Sequence, residues 1–317
     1  MATTARGPLT VWLFLLPLLA TANPSSFNFA RFVDGATYRR THDAAAFILT
    51  HRPADTVCSY LDLFHRNFVA HNPADVFVFA VGGDDQHASV AACVRGFPSW
   101  YTVNLLAHAD ALGWTTPQHA ADPALWSAYP KFSQDYRRMG HWRLAHQFKL
   151  AAGMGYATLL QVDDDSYFGT AVVQPVLAEF RESRLKMATR VVNHDDVDTT
   201  IGLPELTRYF VTTENVAPTL LYSHCDPPSI DGLFTAGHGA GRGWDRAMLF
   251  GNFVVYDVDW MVSDVMVQRY IHTVLRTGGH FRFRWNEQAT LAMVWQLFVG
   301  ENEWALYDFE YSHHGKR

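Results

Sequence analysis

Cysteine is scarce in this chain, and its few cysteines are not spaced like zinc ligands. Only Cys58, Cys93 and Cys225 occur among 317 residues, and none of their spacings is typical of zinc ligation. In an oxidising compartment, three cysteines allow one disulfide and one free thiol, in any of three pairings. The sequence alone does not choose among these pairings.

Clustered positive charge is also missing, as are N-glycosylation sequons and internal repeats. The formal net charge is −6, and no run of lysine and arginine offers a footprint for a phosphate backbone. We therefore expect no nucleic-acid partner. The only Asn-x-Ser/Thr sequence, Asn23–Ser25, has proline in the middle and is not a sequon, so we expect no N-linked glycan.

Beyond the first residues, no apolar segment reaches the length of a membrane span. Residues 1–22 combine Arg6, an apolar run over Leu9–Leu19 and an Ala-x-Ala cleavage pattern at Ala20–Ala22. The run is shorter than the roughly 20 apolar residues that a span needs, and it contains Pro17. This pattern favours a cleaved signal peptide over a short signal anchor. It predicts a protein of the secretory pathway, in the Golgi or ER lumen or secreted, with membrane attachment only if the segment is retained.

Residues 23–317 predict a single α/β domain. Hydrophobic residues make up 49% of the chain, enough for one large core, and no linker-like break interrupts it. Two buried strands, Ala45–Thr50 and Asp75–Val81, flank a helix over 54–71, an order typical of parallel pairing. Further predicted elements are a strand over 101–106, a loop over 113–130, a helix over 133–153, a strand over 156–162, a helix over 172–183, a strand over 186–192, a loop over 213–244, a strand over 252–257, helices over 260–276 and 287–298, and a strand over 304–308.

Three consecutive carboxylates, Asp163, Asp164 and Asp165, follow the strand predicted over 156–162. Adjacent like charges repel one another, whereas carboxylate oxygens are the ligands that Mg²⁺ and Mn²⁺ prefer. In open α/β sheets, ligands also bind outside the carboxyl ends of the strands. The pattern is typical of the Asp-x-Asp metal site of nucleotide-sugar glycosyltransferases, and an acidic surface turn is the alternative.

Several segments, in order along residues 44–317, resemble one enzyme family. Ala45–Arg52 is similar to a first strand that ends in arginine, Tyr136–Met139 to a Tyr-Arg-x-Met motif, and Asp163–Asp165 to a Glu-Pro-Asp metal motif 27 residues after the tyrosine. Later segments are similar to Ser-Asn-Phe-Glu-Ile-Gly-Asp (Gly251–Asp257), to Gly-Gly followed by Arg-Trp-Gly-Asp (Gly278–Gly279 and Arg284–Glu287), and to a closing Asp-Ile-Gly-Tyr-Tyr-His (Asp308–His314). The chain thus resembles glycosyltransferase family 15, the fungal α-1,2-mannosyltransferases.

The resemblance implies a GT-A fold, with a Rossmann-like, mostly parallel central sheet flanked by helices. It also implies a retaining mannosyltransferase with GDP-mannose as donor, a glycan or glycoprotein as acceptor, and Mn²⁺ (or Mg²⁺) as cofactor. Asp163 and Asp165 would then bind the metal, with Asp163 also next to the substrate, and Arg52 would bind near the nucleotide. The family's metal-binding histidine falls on His313 or His314, depending on how the last motif is aligned.

Three other positions gain predicted roles from the same resemblance. We predict Tyr136 and Glu287 as catalytic residues and Arg284 as a substrate-binding residue. Tyr136 would line the donor site, Arg284 would meet phosphate, and Glu287 would contact sugar hydroxyls or deprotonate the acceptor. The alternatives are aromatic packing for Tyr136, a core ion pair for Arg284, and a helix-terminus charge for Glu287.

Two positions depart from the family. The aspartate of Arg-Trp-Gly-Asp is Glu287 here, which keeps a carboxylate with one more methylene of reach. The glutamate of Asn-Phe-Glu, which serves as a nucleophile or stabilises the positively charged sugar, is Val254 here. Because valine can do neither, we expect attack from the face of the leaving group. The same change leaves open a catalytically inactive relative that binds glycan or nucleotide. A different donor, such as UDP-galactose or UDP-glucose, is also open.

The segment Gly237–Gly243 is rich in glycine but lacks the Gly-Lys-Ser/Thr of a P-loop. We predict a flexible flap over the donor rather than a nucleotide-binding loop, with a plain insertion as the alternative.

Overall fold

A central sheet runs through the part of the chain that the computed structural model describes, namely residues 28–33, 38–127, 133–235, 237 and 241–313. The strands are β1 (Ala44–Thr50), β2 (Asp75–Ala80), β3 (Trp100–Asn104), β4 (Thr158–Asp163), β5 (Ser166–Tyr167), β6 (Met187–Thr189), β7 (Val192–His194), β8 (Cys225–Asp226), β9 (Gly243–Trp244), β10 (Ala247–Leu249), β11 (Phe253–Asp257), β12 (Trp304–Leu306) and β13 (Ser312–His313). The helices are α1 (Ala54–Phe64), α2 (Asp84–Val94), α3 (Ala109–Leu112), α4 (Gln134–Ala145), α5 (Gln147–Gly153), α6 (Val176–Glu182), α7 (Leu203–Thr213), α8 (Val258–Ser263), α9 (Val265–Thr277), α10 (Gly279–Arg282) and α11 (Glu287–Phe298).

The main sheet has seven strands in the order β12-β6-β11-β4-β1-β2-β3. All its neighbours pair in parallel except β11, which runs antiparallel to both β4 and β6. Every residue of β1 and β2 is buried, as expected for parallel strands that are covered on both faces. The mostly parallel sheet and its βαβ start are therefore confirmed.

Helices cover both faces of the sheet and divide the core in two. Side chains alternate along each strand, so that Phe47 packs into one hydrophobic cluster and its neighbour Ile48 into the other. Residues of α4, α5, α9 and α11 lie in the cluster of Phe47, and residues of α1, α2 and α6 lie in the cluster of Ile48. This layering confirms the predicted α/β class.

Two of the predicted long helices are each divided in the structure. The helix predicted over 133–153 bends at His146, between α4 and α5. The helix predicted over 260–276 is interrupted at Asp264, whose side chain accepts hydrogen bonds from Met266 N and Val267 N and so begins α9. The helix then ends at Gly278, which has a φ of 66° that glycine adopts without strain.

Sequence patterns did not predict α2 and α7. Only His87, Val90 and Val94 of α2 are buried, so its apolar stripe is short. In its described residues, the predicted loop over 213–244 contains only short strands, turns and two 3-10 helices, Leu221–His224 and Ile230–Gly232. None of the helices in the described ranges is long and apolar enough to cross a membrane, and residues 1–22 lie outside those ranges.

A disulfide joins Cys58 of α1 to Cys93 of α2, which selects one of the three pairings that the sequence left open. Cys225 is buried and reduced. The bond ties together the two helices that follow β1 and β2.

Candidate metal centre

The acidic triplet lies at the carboxyl edge of the sheet because β1 and β4 are parallel neighbours. Leu49 is paired with Asp163, so the residues that follow β1 lie beside the residues that follow β4. His313 reaches the same place through a second, small sheet, in which β13 pairs with β5 and His313 lies opposite Ser166. Segments that are distant in sequence thus meet at one point.

Asp163, Asp165 and His313 form a group that can hold a metal ion. One ligand atom from each of the three lies within 4.8 Å of the other two. His313 Nε2 is 2.9 Å from Asp165 Oδ1 and 4.0 Å from Asp163 Oδ2. Two carboxylates and one imidazole fit Mn²⁺, which accepts both donor types, better than Mg²⁺, which keeps to oxygen ligands.

Each of the two carboxylates has its other oxygen held by an arginine. Asp163 Oδ1 lies 2.8 Å from Arg143 Nη2. Asp165 Oδ2 pairs with Arg52 Nη2. The two oxygens that face His313 are therefore the ones that these arginines do not occupy, and the carboxylates are oriented before any cation arrives.

Asp164, the middle aspartate, binds Arg52 and is not among the three candidate metal ligands. Asp164 Oδ1 lies 2.9 Å from Arg52 Nε, and Thr50 Oγ1 donates a hydrogen bond of 2.6 Å to Asp164 Oδ2. Oδ1 thus holds Arg52, whose second nitrogen pairs with Asp165, and Oδ2 is held by Thr50. Asp164 fixes the arginine that in turn fixes a candidate metal ligand.

Arg143 is the main residue that sequence analysis did not single out. It lies on α4 with a side chain only 3% exposed, and its two terminal nitrogens pair with Asp163 and Glu287, each at 2.8 Å. Burial alone would lower the pKa of Arg143, but the two carboxylates outweigh burial and raise it. Arg143 therefore remains a buried cation under the acidic triplet.

The residues that these ion pairs connect carry an excess of negative charge. Four carboxylates and two guanidinium groups leave a formal charge of −2, from Asp163, Asp164, Asp165, Glu287, Arg52 and Arg143. Burial alone would lower the pKa of His313, but its hydrogen bond to Asp165 and the charge of that carboxylate raise it. The cluster therefore attracts positive charge at the position of the three candidate ligands, as a divalent-cation site does.

A cleft of about 640 Å³ opens over this cluster. The acidic triplet, Arg52, Arg143 and His313 lie along one part of its lining, and Trp114, Tyr136, Met139, Phe250 and Gln288 lie along the rest. The volume is in the range of pockets that enclose small ligands. Charged groups beside aromatic and apolar walls suit a ligand with a phosphate group and a ring system.

The other predicted site residues take separate positions. Tyr136 lines the cleft, and the guanidinium of Arg284 lies 4.9 Å from the centroid of its ring. Arg284 is only 4% exposed and Glu287 only 1%, so direct contact of either with a ligand stays a prediction. Val254 is fully buried in the core, paired across the sheet with Gln161. His314 lies outside the described residues, as do residues 238–240 of the predicted flap over 237–243.

No protein-family model matches the sequence, and no curated protein matches it. Solved structures do match the fold. Core-mannan synthase A (CmsA/Ktr4) of Aspergillus fumigatus, in its Mn/GDP form, superposes with a TM-score of 0.69 at 16% identity, over 89% of this chain and 77% of that one. The mannosyltransferase Ktr4p of S. cerevisiae gives 0.68 at 12% identity, over 89% and 74%, and its GDP complex gives 0.68 at 13% identity, over 89% and 75%.

These neighbours are fungal mannosyltransferases of the family that the sequence resembles. At such low identity the match establishes the fold, and the predicted GT-A architecture is confirmed.

Proposed function

We propose that this protein is a metal-dependent, retaining glycosyltransferase that moves mannose from GDP-mannose to a hydroxyl of a glycan or glycoprotein. The observation that carries this proposal is the group of Asp163, Asp165 and His313 at the base of a cleft at the carboxyl edge of the sheet. The fold around it is shared with a mannosyltransferase whose structure holds Mn and GDP.

The charged residues of the cleft suit a diphosphate leaving group. A bound Mn²⁺ would offset the charge that develops on the diphosphate when the sugar departs. Arg52 lines the cleft, and 30% of its side chain is exposed, so its guanidinium can reach a phosphate oxygen while Asp164 holds it in place. This arrangement supports binding of the donor by its diphosphate.

The valine at position 254 supports attack from the side of the leaving group. Val254 offers no carboxylate and is fully buried, so it cannot form a covalent intermediate with the sugar. The bond between the sugar C1 and the diphosphate oxygen breaks, and GDP keeps the electron pair. The acceptor oxygen then bonds to C1 on the same face, and its proton passes to the departing phosphate oxygen. The configuration at C1 is retained without a protein nucleophile.

Tyr136 is the candidate for contact with the donor. Its ring lines the cleft, and Arg284 stacks against it from the protein side. We propose that Arg284 supports this ring through a cation–π contact and so orients Tyr136 toward the donor.

We also propose that the protein works in the lumen of the secretory pathway. The Cys58–Cys93 disulfide supports this location, because disulfides persist mainly in oxidising compartments. The apolar pattern of residues 1–22 supports it independently.

A second candidate function is binding without turnover. The buried Val254 favours it, since the family glutamate at this position is absent. In that case the protein would recognise a nucleotide or a glycan through an intact metal centre.

A donor screen separates these possibilities. Full-length protein is incubated with Mn²⁺, mannoside acceptors and a panel of GDP- and UDP-sugars, and both nucleotide release and product anomers are measured. We expect transfer from GDP-mannose alone, with an α-linked product. Calorimetric binding of GDP without turnover of any donor would establish the binding function, and transfer only from a UDP-sugar would overturn the choice of donor.

A further inference from the structure

Arg143 is shared between two carboxylates with different surroundings. Asp163 lines the cleft with 23% of its side chain exposed, whereas Glu287 is 1% exposed and lies behind Arg143. Each accepts one hydrogen bond of 2.8 Å from the same guanidinium. A buried cation thus connects a residue of the cleft to one that solvent hardly reaches.

The sharing matters because a guanidinium pairs with a carboxylate most strongly through two parallel hydrogen bonds. Alone with Asp163, Arg143 could take both of its oxygens. Because Nη1 is held by Glu287, only Nη2 remains for Asp163, and it engages Oδ1. Asp163 Oδ2 is left facing His313 Nε2, at 4.0 Å.

Glu287 is fixed through its backbone. It is the first residue of α11, and Asn286 caps that helix by accepting a hydrogen bond of 2.6 Å from Ala289 N. Asn286 Nδ2 donates a second bond of 2.8 Å to Asp195 Oδ2. The Glu287 carboxylate also packs against Gly140, where an added Cβ would lie 3.4 Å from Oε2.

We propose that Glu287 and Arg143 are positioning residues for the metal centre. Glu287 holds Arg143 so that the guanidinium takes one oxygen of Asp163 and leaves the other for the cation. Glu287 then acts through Arg143 and Asp163 rather than on the sugar. This inference rests on the metal site of the proposed function, but not on the identity of the donor or on turnover.

Calorimetric titration of full-length protein with Mn²⁺, in the absence of nucleotide, tests the inference. We expect Glu287→Gln to weaken Mn²⁺ binding by about tenfold or more, as removal of outer-shell partners does. Arg143→Lys should weaken it similarly, because an ammonium lacks the fork that spans two carboxylates. Glu287→Asp keeps the charge but shortens the reach, so it should fall between wild type and Glu287→Gln.

Arg137→Gln is the matched control. Arg137 lies on the same helix and is 5% exposed, but it donates to the backbone oxygens of Phe281 and Ser127 rather than to a carboxylate. We expect it to lower thermal stability and leave Mn²⁺ affinity unchanged. If Glu287→Gln does not fold, Arg143→Lys, which keeps the buried charge, carries the test.

The outcomes separate this inference from the proposed function. Unchanged Mn²⁺ affinity with a reduced kcat in Glu287→Gln would overturn the positioning role and favour direct contact with the sugar. Wild-type protein that binds Mn²⁺ but transfers no sugar would overturn the proposed function and leave the positioning role standing. Wild-type protein that binds no Mn²⁺ would overturn both.

Discussion

The residues that line the cleft and the buried residues behind them differ in exposure. In the lining, Asp163 and His313 have side chains 23% and 28% exposed, and Arg143 and Arg52 hold the carboxylates beside them. Behind the lining, Glu287 is 1% exposed and Val254 is fully buried. From this contrast we infer that the lining residues contact a ligand directly, whereas Glu287 acts through Arg143.

The largest effect is expected when a buried position behind the cleft is given a charged side chain. Val254→Glu places a carboxylate among buried apolar side chains, so we expect a loss of roughly 3 kcal/mol or more in the free energy of unfolding. Urea denaturation measures it, with Val254→Ile as the control for added volume. A stable Val254→Glu protein with faster transfer would show instead that this position faces the donor.

Loss of a candidate metal ligand tests the role of the residues that line the cleft. His313→Ala removes the imidazole next to Asp165, and we expect Mn²⁺ affinity to fall by about a hundredfold. Titration calorimetry checks this, with the exposed His71→Ala as control. Equal affinity in wild type and His313→Ala would remove His313 from the ligand set.

A pH experiment tests whether water is excluded from the buried side chains around His141. Burial lowers the pKa of His141 to about 3, and the neighbouring His280 contributes to the shift. The native protein thus keeps this ring neutral while the unfolded chain binds a proton below a pH of about 6.5. The contribution of His141 to stability should therefore fall by about 1.4 kcal/mol per pH unit as the pH drops from 6.5 toward 4.

The contribution of this histidine is isolated by comparison with His141→Phe. Urea unfolding at several pH values should give a shallower dependence in the variant, by about 1.4 kcal/mol per pH unit. Parallel curves for the two proteins would mean that His141 is protonated in the native state.

The smallest effect is expected at Tyr136. Tyr136→Leu removes an aromatic face that lines the cleft, and we expect GDP to bind about five- to tenfold more weakly, corresponding to roughly 1 kcal/mol of aromatic contact. Tyr136→Phe keeps the ring and should bind GDP almost as wild type does. Equal GDP affinity in all three proteins would show that the ring does not touch the nucleotide.

The fold was largely predictable because its strands are strong local patterns. The continuous apolar runs that became β1, β2 and β4, and the helix that begins at Glu287, lie within one or two residues of their predicted bounds. A buried parallel strand has to be apolar throughout, so its sequence is distinctive. The helix α2 has a short apolar stripe and gave no comparable pattern.

From residue patterns alone, without the family resemblance, the site was predictable only where its residues adjoin strand ends. The triplet follows β4 directly, whereas Arg143 comes 20 residues before Asp163 and 144 before Glu287, and meets both only through helix packing. The position of His313 beside the triplet likewise depends on the register of β13 against β5, which places it opposite Ser166. Periodicity cannot reveal contacts of this kind, because they arise between elements.

The most direct test of the central claim is the metal dependence of GDP release from GDP-mannose in the presence of a mannoside acceptor. Release is compared with Mn²⁺, after chelation, and in Asp165→Asn, with the surface variant Asp62→Asn as control. We expect release to require Mn²⁺ and to fall about a hundredfold or more in Asp165→Asn. Release that persists after chelation, or that is equal in Asp165→Asn and wild type, would contradict a metal-dependent transferase.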